Sequence, residues 1–449
     1  MTRQNLEELT QAMLAAAQKA GAEAADAIAV RGSSVTTDVR AGTLERAERA
    51  EATDIGLRVL IGRRQANVSA SDTRAVTLSA LAERAVAMAR EAPEDPYAGL
   101  ADPTELGQGI DTSRLELSDP SPDPSPEALQ QDALTAEAAA LQVDGVTQVQ
   151  AASAAYSRRT IHLAATNGFS GGYTRTDRGL SCVAIAGTGA GMERDYDGDS
   201  RIIQSELRDA AEIGQRAGER AAERLGARKP PTGAFPVLID ERISSTLIGH
   251  LLAAANGAAV ARGSSWLSGR LGKPVLPEGL SILEDPHRPR VAGSRPFDAE
   301  GLPTAPRQIV EDGRLTGWTL DLATARQLGL RSTANAKRGA SSPPSPGVWN
   351  TALTQGAASR DDLISDMGTG LLVTSLIGST INPNTGDYSR GAGGFWVENG
   401  QIAYPVNECT IAGNLLDMLM TIIPANDARA HLSRVVPSLL VGGMTLAGE

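Results

Sequence analysis

Aromatic residues and cysteines are scarce in this chain. Phe, Trp and Tyr together make up 3% of its 449 residues, so its cores must be built largely from Ala, Val, Leu and Ile. The two cysteines, Cys182 and Cys409, lie far apart, and neither belongs to a C-x-x-C or Cys/His spacing. This pattern predicts two reduced thiols rather than a disulfide or a metal cluster, and it favours a cytoplasmic location.

Long apolar runs and an excess of positive charge are missing as well. No run of 18 or more apolar residues occurs, so the sequence predicts no membrane-spanning helix. The N-terminal segment carries Glu7 and Glu8 without a continuous apolar stretch, and we expect a first helix there rather than a signal peptide. The net charge is −11, and no Lys/Arg cluster is interleaved with aromatics. We therefore expect no nucleic-acid partner.

A third absence concerns acidic residues around an apolar helix. The stretch 244–256 carries four large apolar residues on one stripe, which predicts a buried amphipathic helix that begins at Ser244. His250 lies in its middle, but residues 242–277 contain no Asp or Glu. A zinc-hydrolase helix needs two histidines on one face and a glutamate that activates the metal-bound water. This helix therefore cannot perform hydrolysis alone.

Six segments of the second half carry a family resemblance. They are L-I-G-H-L-L-A-A-A-N-G at 247–257, R-G-S-S-W-L-S-G-R-L-G at 262–272, R-P-F-D-A-E-G-L-P-T at 295–304, I-V-E-D-G-R-L-T-G-W at 309–318, G-D-Y-S-R-G-A-G-G-F-W-V-E-N-G-Q-I-A-Y-P-V at 386–406 and T-I-A-G-N-L at 410–415. With these segments the chain resembles the TldD/PmbA family of bacterial and archaeal peptidases, and in particular its PmbA (TldE) branch.

The resemblance also shows what this chain lacks. In TldD-type members the corresponding helix carries H-E-x-x-x-H, whose positions fall near Ile248, Gly249 and Ala253 here. His250 lies between ligand positions, and the tail R-V-V-P-S-L-L-V-G-G-M has no counterpart of the family's zinc cysteine. The resemblance thus implies no catalytic residue, metal ligand or cofactor in this chain. Zinc and the general base would come from a TldD-like partner subunit.

The expected fold class is α+β, with a two-domain TldD/PmbA-like architecture of mixed or antiparallel sheets and flanking helices. K-P-P-T-G at 229–233 marks the boundary, because two prolines end the preceding helix. We predict an N-terminal α+β domain at 1–228. A C-terminal PmbA/TldD-like domain with a degenerate metallopeptidase helix should occupy 234–449.

Periodicity and turn residues predict the individual elements. Helices are expected at about 4–20, 75–90, 126–141 after an N-cap at Ser125, 206–227 and 361–367. Strands are expected at 27–30, 55–61, within 147–186 and at 235–239, with an exposed connector at 92–125. Hairpin turns are predicted at Asn167-Gly168, Asp312-Gly313 and Asn399-Gly400, since these pairs supply positive φ angles.

Three further motifs are weaker. Asp195, Asp197, Asp199 and Glu206 match most of a calcium loop, but the required glycine is replaced by serine, so we expect a solvated acidic loop. The segment 168–172 fits G-x-S-x-G, but it follows a hairpin turn instead of the strand–turn–helix that a nucleophile needs. The glycines at 187–191 are a weak dinucleotide signal without a following helix.

Four residues are candidates for peptide or partner contacts: His250, Arg262, Asp387 and Arg390. His250 is either a hydrogen-bonded histidine packed in a helix interface or a residue that faces a cleft shared with the partner. Asp387 and Arg390 in the glycine-rich segment 386–394 either supply fixed charges to another chain or form an ion pair that shapes the turn. The hairpin there could offer an exposed edge, to which an extended peptide adds as a strand.

Three hypotheses remain open. The first is a non-catalytic subunit that forms a heterodimer with a TldD-like chain and helps to hold extended or unfolded peptides. The second is a stand-alone homodimeric scaffold that binds peptides without proteolysis. The third is a divergent hydrolase that uses His250 with distant residues such as His287 or Asp387.

Overall fold

The computed structural model of the chain describes residues 5–107 and 111–448. Residues 1–4, 108–110 and 449 lie outside the described residues, so the predictions for the start of the first helix, part of the connector and the last residue are not addressed.

Helices and strands follow one another along the whole chain. The helices are α1 (Leu6–Ala20), α2 (Ala75–Glu91), α3 (Pro126–Leu141), α4 (Ala210–Ala222), α5 (Glu241–Ala254), α6 (Gly257–Ala261), α7 (Leu322–Leu328), α8 (Arg360–Met367) and α9 (Leu415–Leu419). The strands are β1 (Ala24–Arg40), β2 (Thr43–Ile61), β3 (Arg64–Ala70), β4 (Val146–Ala165), β5 (Ser170–Ala186), β6 (Glu193–Arg201), β7 (Gly233–Ile239), β8 (Ile282–Glu284), β9 (Arg307–Glu311), β10 (Arg314–Leu315), β11 (Ala336–Lys337), β12 (Ser345–Pro346), β13 (Thr351–Leu353), β14 (Gly370–Ile381), β15 (Asp387–Glu398), β16 (Gln401–Asn414), β17 (Ile423–Pro424), β18 (Arg434–Val435) and β19 (Leu439–Ala447).

The first half forms one antiparallel sheet in the order β3-β2-β1-β4-β5-β6. Its core is rich in alanine, as the scarcity of aromatics predicts. Helices α1 and α2 pack on β1, β2 and β3, while α3 and α4 cover the far end of the sheet on β4 and β5. Alternation along β1 and β4 turns Ile28 and Leu163 to the opposite face, where they pack against Phe297 of the second half.

The second half is built around a sheet that closes on itself. The order is β16-β15-β14-β7-β19-β17, and β19 also pairs back to β16 through Thr410, Ile411 and Ala412. Strands β7 and β14 are parallel and the other pairs are antiparallel. Helix α5 packs between this closed sheet and a smaller sheet of order β10-β9-β8-β13-β18, within one apolar core. The predicted α+β class with mixed and antiparallel sheets is confirmed.

Local sequence signals were reliable for several elements. Ser125 caps α3 with Pro126 in the first turn, and all three predicted hairpin turns join antiparallel strands. Asp312 and Asn399 adopt positive φ angles in their turns. Cys182 and Cys409 are free and buried. The boundary at 229–233 separates the two large sheets in sequence, but the domain limits stay a prediction.

Two helices begin elsewhere than predicted. Helix α5 starts one turn before Ser244, because the Asp240 side chain accepts a hydrogen bond from the N–H of Arg242. Ser244 is instead buried inside the helix and donates to the carbonyl of Val436. Helix α4 starts after Asp209, whose carboxylate caps it, so the predicted range 206–227 was too long at both ends.

The predicted exposed edge at 386–394 is wrong. Strand β15 lies inside the closed sheet and pairs with β14 on one side and β16 on the other. Gly394 allows this close packing, since a Cβ there would lie 1.9 Å from the carbonyl oxygen of Leu372. The glycines therefore serve strand packing, and β15 offers no free edge to a peptide. Among the described residues, no helix combines the length and apolar character needed to cross a membrane.

Candidate functional site

Helix α5 carries the face on which the family's metal helix would present its ligands. Leu247, Ile248 and Leu251 point into the core and are almost completely buried. Gly249 and Ala253 lie on a more accessible side of the helix. Arg434 from β18 approaches this side, and its Nη1 lies 3.0 Å from the point where a Cβ of residue 249 would be. A guanidinium therefore occupies the space above Gly249.

These side chains do not fit a zinc ion. Ile248 is apolar and buried, Gly249 and Ala253 carry no donor atom, and the charge of Arg434 repels a cation. In the part of the chain that the structure describes, no group of three or more His, Cys, Asp and Glu is placed to hold a metal. No step of metal-assisted hydrolysis follows from this face. That the chain itself binds no zinc stays a prediction.

His250 points away from Gly249 towards β15. Its ring packs edge-on against Tyr388, with ring centroids 5.9 Å apart and planes at 69°. Its Nε2 is shielded from solvent and has no hydrogen-bond partner among the described residues. Burial, followed by the positive charge of Arg390, lowers the pKa of His250, so the ring is neutral at pH 7. The predicted packing in an interface is thus seen without the predicted hydrogen bond at Nε2.

Arg390 and Asp387 lie on opposite faces of β15. Arg390 shares its face with Tyr388 and donates from Nε to the carbonyl of Gly378 at 2.7 Å; burial raises the pKa of Tyr388, and the positive charge of Arg390 opposes that rise. Asp387 accepts from the Thr385 hydroxyl at 2.6 Å and from the Asn414 amide at 3.3 Å. Because strand alternation places Asp387 and Arg390 on opposite faces, the predicted alternative of an ion pair that shapes the turn is wrong.

The structure brings together only two of the four predicted contact residues. His250 and Arg390 meet around Tyr388, while Asp387 faces away. Arg262 is exposed at the C-cap of α6. Tyr388 was missed, although its position two residues before Arg390 in a strand would have placed both on one face. His287, the candidate helper of a divergent hydrolase, bonds the Thr304 hydroxyl through Nε2 at 3.0 Å.

The predicted acidic loop is wrong. Asp195, Asp197 and Asp199 lie in strand β6, and alternation puts all three on one face, where they are buried. Arginines neutralise them: Asp197 accepts from Arg208 at 2.8 Å and from Arg220 at 2.7 Å. The calcium alternative loses its ligands in the same way, because guanidinium groups already occupy these carboxylates.

This strand also holds α5 in place. Arg242 in the first turn of α5 donates to Asp195 of β6 at 2.9 Å and to Asp240 at 3.2 Å. Arg224, after α4, lies 3.7 Å from Asp195 and 3.3 Å from the Thr374 hydroxyl of β14. Since these groups are buried, the ion pairs fix the helix relative to the first sheet.

Three family profiles match the chain in succession. They are described as PmbA/TldA metallopeptidase domain 1 at residues 25–89, central domain at 119–225 and C-terminal domain at 232–448. The metalloprotease PmbA of Escherichia coli O157:H7 is 37% identical over 97% of this chain and 94% of its own length. The metalloprotease PmbA homolog of Haemophilus influenzae is 35% identical over 99% of this chain and 97% of its own.

Solved structures show the same architecture. A protein from Bacteroides thetaiotaomicron, described as a candidate modulator of DNA gyrase, superposes with a TM-score of 0.92 at 26% identity and covers 100% of both chains. TldE from Thermococcus kodakarensis superposes with a TM-score of 0.86 at 19% identity, over 98% of this chain and 100% of its own. At that identity the second likeness shows the fold alone. The predicted TldD/PmbA-like fold is confirmed.

Proposed function

This chain belongs to the PmbA/TldD metallopeptidase family, and from that premise we propose that it is the non-catalytic, PmbA (TldE)-like subunit of a two-subunit zinc peptidase in the cytoplasm. A TldD-like partner with H-E-x-x-x-H would supply the zinc and the general base. The complex would cleave extended or unfolded peptides, and this chain would help to hold them.

The observation that carries the proposal is the side of α5 around Gly249. The chain keeps the helix, its core packing and its anchoring ion pairs, but it presents glycine, alanine and the Arg434 guanidinium at the accessible positions. A zinc ion beside the Arg434 guanidinium would be unfavourable because like charges repel, and neither Gly249 nor Ala253 offers an atom that could act as a ligand or a base. A subunit with a binding role would need the packed helix but not the zinc ligands or the general base, and this is the combination found in α5.

The surface around His250, Tyr388 and Arg390 supports a contact role. A shielded imidazole nitrogen without a hydrogen bond costs about 1–3 kcal/mol. A peptide or partner group would reach Nε2 only if the side chains around it moved, so the contact role rests mainly on the more accessible Arg390. Arg390 beside it adds a positive charge that suits a carboxylate or a backbone carbonyl.

The test is reconstitution with the TldD-like protein of the same organism. We expect the two chains to co-elute as a heterodimer in size-exclusion chromatography with light scattering. We expect cleavage of an unfolded peptide by the pair, and none by this chain alone. A chain that stays a homodimer in the presence of the partner would favour the peptide-binding scaffold instead. Cleavage by the isolated chain would contradict the proposal.

Matched variants locate the contact surface. Arg390→Gln should weaken pairing or raise the KM of the pair at least tenfold, because it removes the charge beside Tyr388 and His250. Arg46→Gln is the control, since Arg46 is exposed on β2 and pairs only with its neighbour Glu48 among the described residues. Equal pairing and equal KM for the two variants would show that this surface makes no contact. The heterodimer itself would then be tested only by the reconstitution experiment.

A further inference from the structure

A pocket of about 410 Å³ lies between the first sheet and the second half of the chain. Its floor on one side is the face of β1 and β4 that carries Ile28 and Leu163. Its opposite wall is formed by residues 295–299, by the turn that follows β11, and by Trp349. This pocket is separate from α5 and from the surface around His250.

The wall that follows β11 is held firmly against the first sheet. Arg338 is fully buried and bonds Asp26 of β1 and Asn67 of β3. Gly56 on β2 allows the carbonyl of Ala340 to approach, since a Cβ at residue 56 would lie 2.1 Å from that oxygen. The pocket therefore exists in the folded chain without a rearrangement.

An excess of positive charge is the main feature of this pocket. Lys337 and Arg295 both lie over the ring of Trp349, at 4.9 Å and 5.6 Å from its centroid. Neither of them, nor Arg159 on β4, forms an ion pair with a described residue; Arg295 donates only to backbone carbonyls. Two like charges beside one indole repel each other, and an anion close to both would relieve that repulsion.

Of the three nearest acidic groups, Glu284 and Asp298 are engaged, whereas Asp54 meets a neutral hydroxyl, so one carboxylate stands against three cations in the lining that form no ion pair with a described residue. Both oxygens of Glu284 are used, one by Arg307 at 2.6 Å and the other by the Asn335 amide at 3.0 Å and the backbone N–H of Trp349. Asp298 accepts backbone N–H groups and is buried, and that burial raises its pKa. Asp54 also lines the pocket and accepts from the Ser71 hydroxyl at 2.8 Å.

Lys337 is placed to meet a ligand. It is exposed, and its stem crosses Gly347, where a Cβ would lie 2.8 Å from the lysine Cδ. An anion bound beside the exposed Lys337 would also offset the repulsion between Lys337 and Arg295.

The rest of the lining is apolar. Phe297 contacts Tyr173 edge-on with ring centroids 5.6 Å apart, and Ile161 and Leu163 lie beside them. The ligand that fits both parts carries an anionic group for the cations and an apolar body for the aromatic side. A nucleotide is disfavoured, because its base and sugar would need polar partners that this side does not offer.

We propose that this pocket binds a carboxylate attached to an apolar side chain, the group found at the C-terminus of a peptide that ends in Leu, Ile, Val or Phe. A free apolar amino acid carries the same group. That the natural ligand is the C-terminus of a peptide rests on the proposed peptide-holding role of this chain and extends it. That the pocket binds a carboxylate with an apolar side chain does not depend on that role.

The test is isothermal titration calorimetry on the full isolated chain at pH 7. The probe is acetyl-Ala-Ala-Leu with a free carboxylate, compared with its C-terminal amide, free leucine and inorganic phosphate. We expect the acid to bind at least tenfold more tightly than the amide and than phosphate. Leucine binding as tightly as the peptide acid would identify the free amino acid as the source of the carboxylate. Equal binding of acid and amide, tighter binding of phosphate, or no binding of any probe would overturn the proposal.

A matched pair of variants assigns the binding to this pocket. Lys337→Met keeps an unbranched apolar stem across Gly347 but removes the charge over Trp349, and it should weaken binding of the peptide acid at least tenfold. Lys19→Met removes an equally exposed lysine in the last turn of α1 and should leave binding unchanged. An unchanged affinity in Lys337→Met would contradict the assignment. The titration uses neither a partner nor hydrolysis. If the heterodimer fails to form, the binding result still stands, and if the pocket binds no probe, the heterodimer proposal still stands.

Discussion

Asp26→Asn removes the carboxylate that two buried arginines share at the junction of the two halves. Asp26 accepts from Arg58 Nε at 2.7 Å and also bonds Arg338, and all three side chains are at most 5% exposed. Asparagine keeps the shape but leaves two guanidinium groups facing each other in a buried site. Removal of one partner from a buried ion pair costs about 3–5 kcal/mol, which is a large part of a typical folding stability of about 5–15 kcal/mol.

The assay is urea denaturation of the wild type and of Asp26→Asn at pH 7, with unfolding monitored by tryptophan fluorescence. We expect a lower midpoint at an unchanged slope, equivalent to a loss of about 3–5 kcal/mol. Glu48→Gln is the control, because it breaks an exposed ion pair that is worth about 1 kcal/mol or less. A loss in Asp26→Asn no greater than that of the control would refute the reasoning.

The buried contact of Asp26 with Arg58 and Arg338 also predicts that the stability of the chain depends on pH. Burial alone would raise the pKa of Asp26, but the charges of Arg58 and Arg338 outweigh it and hold the pKa below its ordinary value. The unfolded chain therefore binds the proton more readily than the folded chain. The stabilisation is present above the unfolded-state pKa of about 3.9 and is lost as the pH falls through the folded-state pKa. The difference between wild type and Asp26→Asn should shrink in that acidic range.

Three other substitutions test the account of α5 and the closed sheet. Gly249→Ala should change stability by no more than about 1 kcal/mol and in the stabilising direction, since the side chain of Arg434 can move and alanine favours a helix. Gly394→Ala should destabilise by about 3 kcal/mol or more, because its Cβ would meet the backbone of Leu372; equal urea midpoints for the two variants would contradict this packing. His250→Leu should reduce the loss of stability on acidification below about pH 6.5, since a histidine with a lowered folded-state pKa is protonated preferentially in the unfolded chain. Parallel pH profiles for wild type and His250→Leu would show that the ring is not desolvated.

Signals that act over a few residues explain which elements were predictable. Ser125 followed by Pro126, the Asn-Gly and Asp-Gly turns, and the apolar stripe of α5 each fix local backbone geometry, and the structure has them as expected. The start of α5 was misjudged because Asp240 and Ser244 are both capable N-caps. Only the burial of Ser244 against Val436 decides between them.

Features that depend on distant residues were not predictable. The acidic run of β6 looked solvated because the arginines that neutralise it come from α4, from α5 and from the segment before α4. The pairing of β15 with β14 on one side and β16 on the other removes the edge that the glycine-rich strand was expected to offer. Among the contact candidates, the sequence named His250 and Arg390 but not Tyr388, and it gave no sign of the pocket lined by Lys337, whose two walls are far apart in the chain.

The central claim is that the chemistry of the complex belongs to the partner and not to this chain. The most direct measurement is zinc content by mass spectrometry, set against peptide hydrolysis, for the isolated chain, the TldD-like partner and the purified pair. The account predicts about one zinc per pair, all of it accounted for by the partner. It also predicts that hydrolysis is lost when the partner's H-E-x-x-x-H glutamate is replaced by glutamine. Two results together would contradict the account: about one zinc bound by the isolated chain, and peptide hydrolysis that continues when the partner contains no zinc.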